Sequence, residues 1–307
     1  MLSLFAIYVS ENAQQPTSRT SLNSSSTEHT LSVTVDRVNV LFTVAARSGK
    51  LVSNLTKDDF TVYEDGQPQD ISNFSKEADL PLNIALVIDT SGSVRDKLRF
   101  EREAAIRFFE SALRAGKDKA LVMTFDTRVE LLQDYTDNLA LLRQAVNRTI
   151  AGGSTSLYDG ISQAAARRRS GTEGRQVIIV LSDGLDNSSH GSVKKAIEDA
   201  QKNDIVIYAI STNRIEEALS RDPQSGDSNL AQLAAETGGR VLLPRKVEDL
   251  AQSFYKIRDE IRAQYSLAYG PTNTRRDGTY RKIQIVPSRR SYTIRCRHGY
   301  FAPGMRS

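Results

Sequence analysis

Between residues 82 and 93 the chain reads Leu-Asn-Ile-Ala-Leu-Val-Ile-Asp-Thr-Ser-Gly-Ser. An apolar run that ends by delivering a carboxylate at Asp89 and hydroxyls at Ser91 and Ser93, on alternate positions, has the makings of a hard-cation site. Ions of that kind take oxygen ligands, and Mg²⁺ wants about six of them. Two later stretches can supply more, Gly152-Gly-Ser-Thr155 and Leu181-Ser-Asp183-Gly184. Two carboxylates, Asp89 and Asp183, balance a dication. The neutral hydroxyls of Ser91, Ser93 and Thr155 leave it short of electron density, so a carboxylate from outside becomes the natural last ligand. Mg²⁺ is the first choice, with Ca²⁺ or Mn²⁺ as alternatives.

Each piece also has a plainer use. Asp89 or Ser91 can cap a helix that starts near Leu98, and Thr155 can cap one that starts at Leu157. Asp186 with Asn187 reads as a turn, and His190 as an exposed loop histidine. An Asp-x-Ser-x-Ser triplet alone is a weak signal. The weight comes from three such stretches in order, each where an apolar run gives way to helical spacing.

The elements that must bring them together follow from the periodicities. Leu82–Ile88, Lys119–Phe125, Gln176–Leu181 and Ile205–Ile210 are continuous apolar runs, as expected of parallel strands covered on both faces. Between them, Leu98, Glu101, Ala105, Phe108 and Ala112, then Leu139, Leu142, Ala145 and Val146, recur at helical spacing. Glu130–Leu132 fits a short antiparallel edge strand after a turn at Asp126–Arg128. Alternating strands and helices predict a doubly wound, mostly parallel α/β sheet. In such a sheet ligands gather beyond the carboxyl ends of the strands at the switch point, where the first and fourth parallel strands are expected side by side. Asp89 closes the first and Asp183 the fourth.

The chain ends have a different rhythm. Leu31, Val33, Val35, then after a phase slip Val38, Val40, Phe42 and Val44 alternate as a half-buried strand. Phe60–Tyr63 and Ile71–Phe74 flank an Asp-Gly reversal at Asp65-Gly66. Gln264–Tyr269, Thr279–Val286 and Ser291–Cys296 are three further strand-like runs. The economical arrangement is a smaller β-sandwich made from both ends, 29–80 and 264–303, with the α/β domain, 81–263, inserted into it. Residues 1–28 read as a leader, a short apolar stretch without a preceding Lys or Arg followed by Gln, Ser and Thr. It is what a truncated secretory signal would leave.

Composition narrows the rest. No stretch reaches the roughly 18 apolar residues of a membrane helix. With one cysteine, Cys296, there is no intramolecular disulfide, and its phase with Ile294 predicts a buried thiol between two exposed arginines. The net charge is a modest +4, but Lys and Arg outnumber acids nine to one between Gly270 and Ser307. That excess is read as a solvated strand face rather than a nucleic-acid surface. His29, His190 and His298 are too scattered for a zinc cluster.

Asp89-x-Ser91-x-Ser93, Thr155 in Gly-Gly-Ser-Thr and Ser-Asp183-Gly together resemble the metal-ion-dependent adhesion site of von Willebrand factor type A domains. The resemblance implies that Asp89, Ser91, Ser93, Thr155 and Asp183 surround Mg²⁺, directly or through water, and that the protein binds a partner's Asp or Glu there rather than acting as an enzyme. The flanks, Phe60–Pro68 and Arg297–Phe301, are similar to those of secreted bacterial proteins carrying this domain, notably in Acidobacteria. The expected setting is therefore secreted, periplasmic or cell-surface. Two alternatives are set against it. One is a cytoplasmic adaptor of this family for an ATPase or chelatase complex. The other is a Mg²⁺-dependent phosphohydrolase, which would need a second Asp where Ser91 stands and a general acid with no evident source. The 213–229 segment reads as a long loop before a helix at Leu230.

Overall fold

Alternating apolar side chains build the first part of the chain into strands. The computed structural model describes residues 37–76, 80–167, 174–213 and 226–304, all within one compact unit, Asp36–Ser307. The leader, the Leu31–Val35 start of the first expected strand and most of the 213–229 loop lie outside the described residues. β1 (Val38–Ala46) points Val38, Val40, Phe42 and Val44 inward. β2 (Phe60–Glu64) and β3 (Gln67–Gln69) form a hairpin through Asp65 and Gly66, with φ of 48° and 81°. Two left-handed residues give a two-residue turn the twist its strands need, and Asp-Gly tolerates that conformation. β4 (Ile71–Lys76), expected as the second arm of this hairpin, belongs instead to another sheet, because the short β3 already pairs with β2.

The middle of the chain alternates as its spacing predicts: β5 (Leu82–Asp89), α1 (Leu98–Ala112), β6 (Lys119–Phe125), β7 (Val129–Thr136), α2 (Leu139–Asn147), α3 (Leu157–Ala166), β8 (Arg175–Ser182), α4 (Val193–Lys202), β9 (Ile205–Ser211), α5 (Gly226–Thr237), β10 (Val241–Leu242) and α6 (Leu250–Arg262). The sheet order is β10-β9-β8-β5-β6-β7, parallel except for β7. β7 is longer than the three residues expected of it, because Val129 to Thr136 follows β6 through two irregularities in register.

All eight residues of β5 are buried. Leu82, Ile84, Leu86 and Ile88 pack into a core with α1, α2 and α6, whereas Ala85 and Val87 pack into a second core with α3, α4 and α5. The two-residue period of a strand deals alternate side chains to opposite faces, and here both faces are covered. β5 lies between β6 and β8. β8 is the third parallel strand rather than the fourth, since the antiparallel β7 takes the intervening place in the chain. The switch point is where the apolar runs place it.

The chain then returns to the strands it left. β11 (Tyr265–Tyr269), β12 (Tyr280–Pro287), β13 (Tyr292–Cys296) and β14 (Gly299–Phe301) complete two four-stranded sheets, β13-β1-β11-β4 and β14-β12-β2-β3. Their shared core holds Val40, Phe42, Val62, Leu267 and Ile283. The rings of Phe42, Phe60, Phe74 and Tyr265 lie 5.1 to 6.3 Å apart. Buried Glu64 accepts hydrogen bonds from the Tyr269 and Tyr300 hydroxyls, each 2.9 Å long.

The basic strands depart from the solvated face expected of them. Arg281 is buried and pairs with Asp277 at 3.0 Å, Arg295 meets Glu260 of α6 at 2.7 Å, and Arg297 is buried against Asp204 at 3.1 Å. Cys296 is only partly covered, and burial pushes its thiol up to about 11. Burying a charge requires a partner, and acids elsewhere in the fold provide one for each of these three arginines. Three of the nine basic residues between Gly270 and Ser307 are therefore used internally, while Arg275, Lys282, Arg289 and Arg290 stay exposed as expected.

Buried Asp118, between α1 and β6, joins three elements. It accepts from the Leu82 backbone N–H at 2.9 Å, from the backbone N–H and guanidinium of Arg114 at 2.9 Å, and from the Arg262 guanidinium at the end of α6. Arg175, at the start of β8, donates to the Ile261 carbonyl at 2.6 Å and to Gln264 at 2.8 Å. The end of α6 is thus tied to the amino-terminal edge of the central sheet. The candidate site lies at the opposite edge.

Candidate metal centre

Asp89 is the last residue of β5 and is completely buried. Its two carboxylate oxygens are held separately, Oδ1 by the Ser91 backbone N–H at 2.8 Å and Oδ2 by the Ser182 hydroxyl at 2.6 Å. Burial pushes its pKa up to about 6, with the Ser182 and Ser91 hydrogen bonds opposing the rise. Ser182 ends β8, the strand beside β5, and directly precedes Asp183.

The two serines and the second carboxylate form a chain of oxygens. Ser91 Oγ lies 3.0 Å from Ser93 Oγ, and Ser93 Oγ donates to Asp183 Oδ2 at 2.8 Å. Asp183 Oδ1 accepts from the Leu185 backbone at 3.1 Å. Residues 94 apart in sequence, Asp89 and Asp183, therefore meet through Ser91, Ser93 and Ser182. Neighbouring oxygens on an octahedral shell of radius 2.0–2.1 Å stand about 2.9 Å apart. The two side-chain separations through Ser93 match that edge, and the donor set of carboxylate and hydroxyl oxygens suits a hard divalent cation.

The second loop joins the other two through backbone. Gly152 N–H donates to the Thr90 carbonyl at 2.7 Å and Gly92 N–H to the Gly153 carbonyl at 3.2 Å. Thr155, almost fully buried, donates its N–H to Asn187 Oδ1 at 2.9 Å, and its carbonyl accepts from the N–H groups of Asn187 and Ser188. Ser91, Ser93 and Asp183 are linked side chain by side chain and Asp89 joins them through the Ser91 N–H, while Thr155 is bonded through its main chain to Asn187 and Ser188 of the third loop.

Helix capping does not account for these residues. The residue preceding α1 is Lys97, with no capping side-chain bond, and Ser91, which precedes a short 3₁₀ turn at Gly92–Val94, makes none either. Ser156 rather than Thr155 precedes α3, again without a capping bond. The first turn of α3 is served by Asp186, which accepts from the Tyr158 N–H at 3.0 Å and from the Ser189 hydroxyl at 2.6 Å. His190 is exposed, with its ring 3.1 Å from Asp159.

Two residues bonded to the site, Ser182 and Asn213, and one buried acid, Glu101, are not singled out by the sequence. Ser182 orients Asp89, although its place before Asp183 at the end of an apolar run is a usable signal. Asn213 donates to the Asp183 carbonyl at 2.9 Å and to Asp227 at 2.8 Å, and nothing in its surroundings marks it. Glu101 is fully buried on α1; its mark is an acid recurring at the helical spacing of an apolar face.

Gly184 lets the third loop pass close to α5. Its φ is +80°, and a Cβ there would stand 2.0 Å from the Gly226 carbonyl oxygen. Gly184→Ala is expected to cost about 2–3 kcal/mol, from left-handed strain plus a backbone clash. Gly66→Ala, with a φ of +81° but open space around it, should cost only the conformational part, about 1 kcal/mol. Urea unfolding midpoints of the two variants check this ranking.

A family model for the von Willebrand factor type A domain matches residues 83–256, more than half of the chain. Among curated protein sequences none matches. Among solved structures, proximal thread matrix protein 1 from the mussel byssus aligns with a TM-score of 0.51 at 18% identity, over 65% of this chain and 51% of its own. A structure of the same mussel protein described as having a zinc-occupied MIDAS motif gives a TM-score of 0.51 at 19% identity, over 65% and 50%. The vWF domain of the type V pili tip protein Mfa5 from Porphyromonas gingivalis aligns at 0.48 and 14% identity, over 59% of this chain and 95% of its own. The chain spans about half the length of the mussel protein. At these identities the likeness is one of fold.

Proposed function

Because the chain belongs to the von Willebrand factor type A domain family, we propose that it is a metal-ion-dependent binding module, in which Asp89, Ser91, Ser93, Thr155 and Asp183 hold Mg²⁺ for a partner protein's Asp or Glu. The observation that carries the reading is Ser93 Oγ, placed 3.0 Å from Ser91 Oγ and 2.8 Å from Asp183 Oδ2. Oxygens so spaced, on loops tied together by backbone hydrogen bonds, are ready for one small ion. Mn²⁺ and Ca²⁺ fit the same donors. A bound dication supplies an electrophilic position for an anionic oxygen.

The chain's own residues divide the work. Asp89 and Asp183 provide the two charges, and Ser182 keeps Asp89 oriented while offsetting part of the cost of burying it. The neutral hydroxyls of Ser91, Ser93 and Thr155 add oxygens without adding charge, so the attraction for an outside carboxylate survives. Two exposed apolar residues flank the loops, Ile150 just before the second at 80% exposure and Leu185 just after Asp183 at 50%. Apolar groups around a charged contact exclude water and strengthen it. The sandwich is a mount, and the partner is met outside the cytoplasm. Ser91 stands where a phosphohydrolase of this layout would place its second Asp, which disfavours the catalytic alternative.

The test uses Mn²⁺ as the probe, because water on a bound Mn²⁺ relaxes bulk water protons. Titration of the full chain with Mn²⁺ should raise relaxivity on binding. Adding a short Asp-containing peptide should then lower it, as a carboxylate takes the exchangeable water position, while the matched Asn-containing peptide should leave it unchanged. Absence of Mn²⁺ uptake sinks the metal reading. Uptake with no response to the acidic peptide sinks the carboxylate-binding part.

A further inference from the structure

Glu101 lies one helical turn into α1, between Leu98 and Ala105 on the buried face, and is 0% exposed. Both of its carboxylate oxygens are buried without a hydrogen-bond partner. Its charged neighbours are Asp89, Asp183 and Lys97. The Lys97 ammonium, one turn earlier, donates to the Thr212 carbonyl and makes no hydrogen bond to Glu101. The Thr212 hydroxyl is itself buried and unpartnered.

A buried carboxylate with no hydrogen bond, and only the field of Lys97 in its favour, is costly, and the cost grows when two more carboxylates are close by. A hydrophobic residue would fill this helix position without that penalty. Burial first, and then the fields of Asp89 and Asp183, push Glu101 up to about 8. A dication held by Asp89 and Asp183 would cancel the repulsive field of those two carboxylates and leave its own attraction for Glu101 as compensation. The orphaned oxygens thus point to a charge that is complete only when the neighbouring site is filled.

We propose, resting on the metal-binding reading above, that Glu101 is a third anionic determinant of the cation site: a buried carboxylate beneath Asp89 and Asp183 that tightens the hold on a divalent cation while staying clear of the partner. Glu101 is fully buried, whereas Ser93 is exposed to solvent. Glu101 is a positioning residue for charge rather than one of the oxygens that meet the partner. With it, the site sets three carboxylates against two positive charges, which favours loading at low cation concentration.

The experiment is a calorimetric titration of the full chain with Mg²⁺ and with Mn²⁺ for wild type, Glu101→Gln and Glu101→Met, beside thermal melts in chelator. Gln keeps the shape and removes the charge; Met also removes the polar atoms. Outer carboxylates around a metal are typically worth 10- to 100-fold in affinity, and a loss of about that size is expected in both variants. Their metal-free forms should melt at or above the wild type, because an uncompensated acid has gone. Wild-type cation affinity in both variants overturns the proposal. So do metal-free variants that both melt well below wild type, which would make Glu101 a strut of the core. If wild type itself takes up no cation, the reading under Proposed function fails and this one falls with it; tight binding by all three proteins overturns this one alone.

Discussion

Asp183→Ala is expected to abolish the calorimetric signal for Mg²⁺ while leaving the chain folded. The substitution removes one of two charges at the site and takes from Ser93 Oγ its 2.8 Å acceptor, so the run of oxygens from Ser91 onward loses its end. Removing a group in the outer shell of a metal costs 10- to 100-fold in affinity. Under the proposed reading Asp183 supplies half of the charge that balances the ion, and its removal should cost about 100-fold or more, roughly 3 kcal/mol. The structural loss is small by comparison. One backbone contact, Leu185 N–H to Asp183 Oδ1 at 3.1 Å, disappears, worth about 1 kcal/mol, and the repulsion between Asp183 and the buried Asp89 is relieved. Asp183→Asn keeps the Leu185 contact and should lose the cation almost as completely, separating charge from local structure. Melts with and without Mg²⁺ give the second readout, in which a gain in wild type is absent from both variants. A normal Mg²⁺ titration in Asp183→Ala would remove Asp183 from the site.

The largest expected effect on stability lies at the other edge of the sheet. Asp118→Ala takes the carboxylate from the Arg114 and Arg262 guanidiniums, which keep backbone carbonyls such as those of Leu80 and Ala112, and leaves the buried Leu82 N–H without its 2.9 Å acceptor. Breaking a buried ion pair from one side costs about 3–5 kcal/mol. The same residue predicts an acid sensitivity. Burial alone would raise its pKa, but hydrogen bonds from Arg114, Arg262 and Leu82 outweigh it and hold the carboxyl at about 2, against 3.8 for an ordinary Asp. A folded-state pKa below the unfolded one stabilises above the unfolded value and is lost as pH falls through the folded one. Asp118 should therefore contribute about 2 kcal/mol above pH 4, lost progressively between about pH 4 and 2. Urea unfolding at pH 7 and across this acid range checks both statements. Wild type should lose this increment on acidification, and Asp118→Ala should start lower and lose less. Equal midpoints at pH 7 would show that the network does not bear on stability.

Local pattern made most of the architecture legible. Continuous apolar runs can be satisfied only by burial on both faces, so Leu82–Ile88 and Gln176–Leu181 announced central parallel strands, and helical spacing announced what covers them. Asp-Gly at 65–66 announced its hairpin because few residue pairs accept two left-handed conformations. The arginines of the last strands were read less well. Arg281, Arg295 and Arg297 look like a solvated face in sequence, and their partners Asp277, Glu260 and Asp204 are identified only by the pairing of strands and helices. All but Asp277 lie far away along the chain.

The same division holds at the candidate site. Residue types, and the places of Asp89, Ser91, Ser93 and Asp183 just at or after strand ends, determined by themselves which oxygens were available and what kind of ion they suit, because donor chemistry is a property of the side chain; Thr155, expected at such a junction too, stands instead between α2 and α3. Only the tertiary structure decided how they stand to one another: Ser93 between Ser91 and Asp183, Ser182 on Asp89, Thr155 bonded to Asn187 and Ser188 of the third loop, and both Glu101 oxygens buried without a hydrogen bond. Distances between residues remote in the chain depend on sheet order and register, which long-range packing sets.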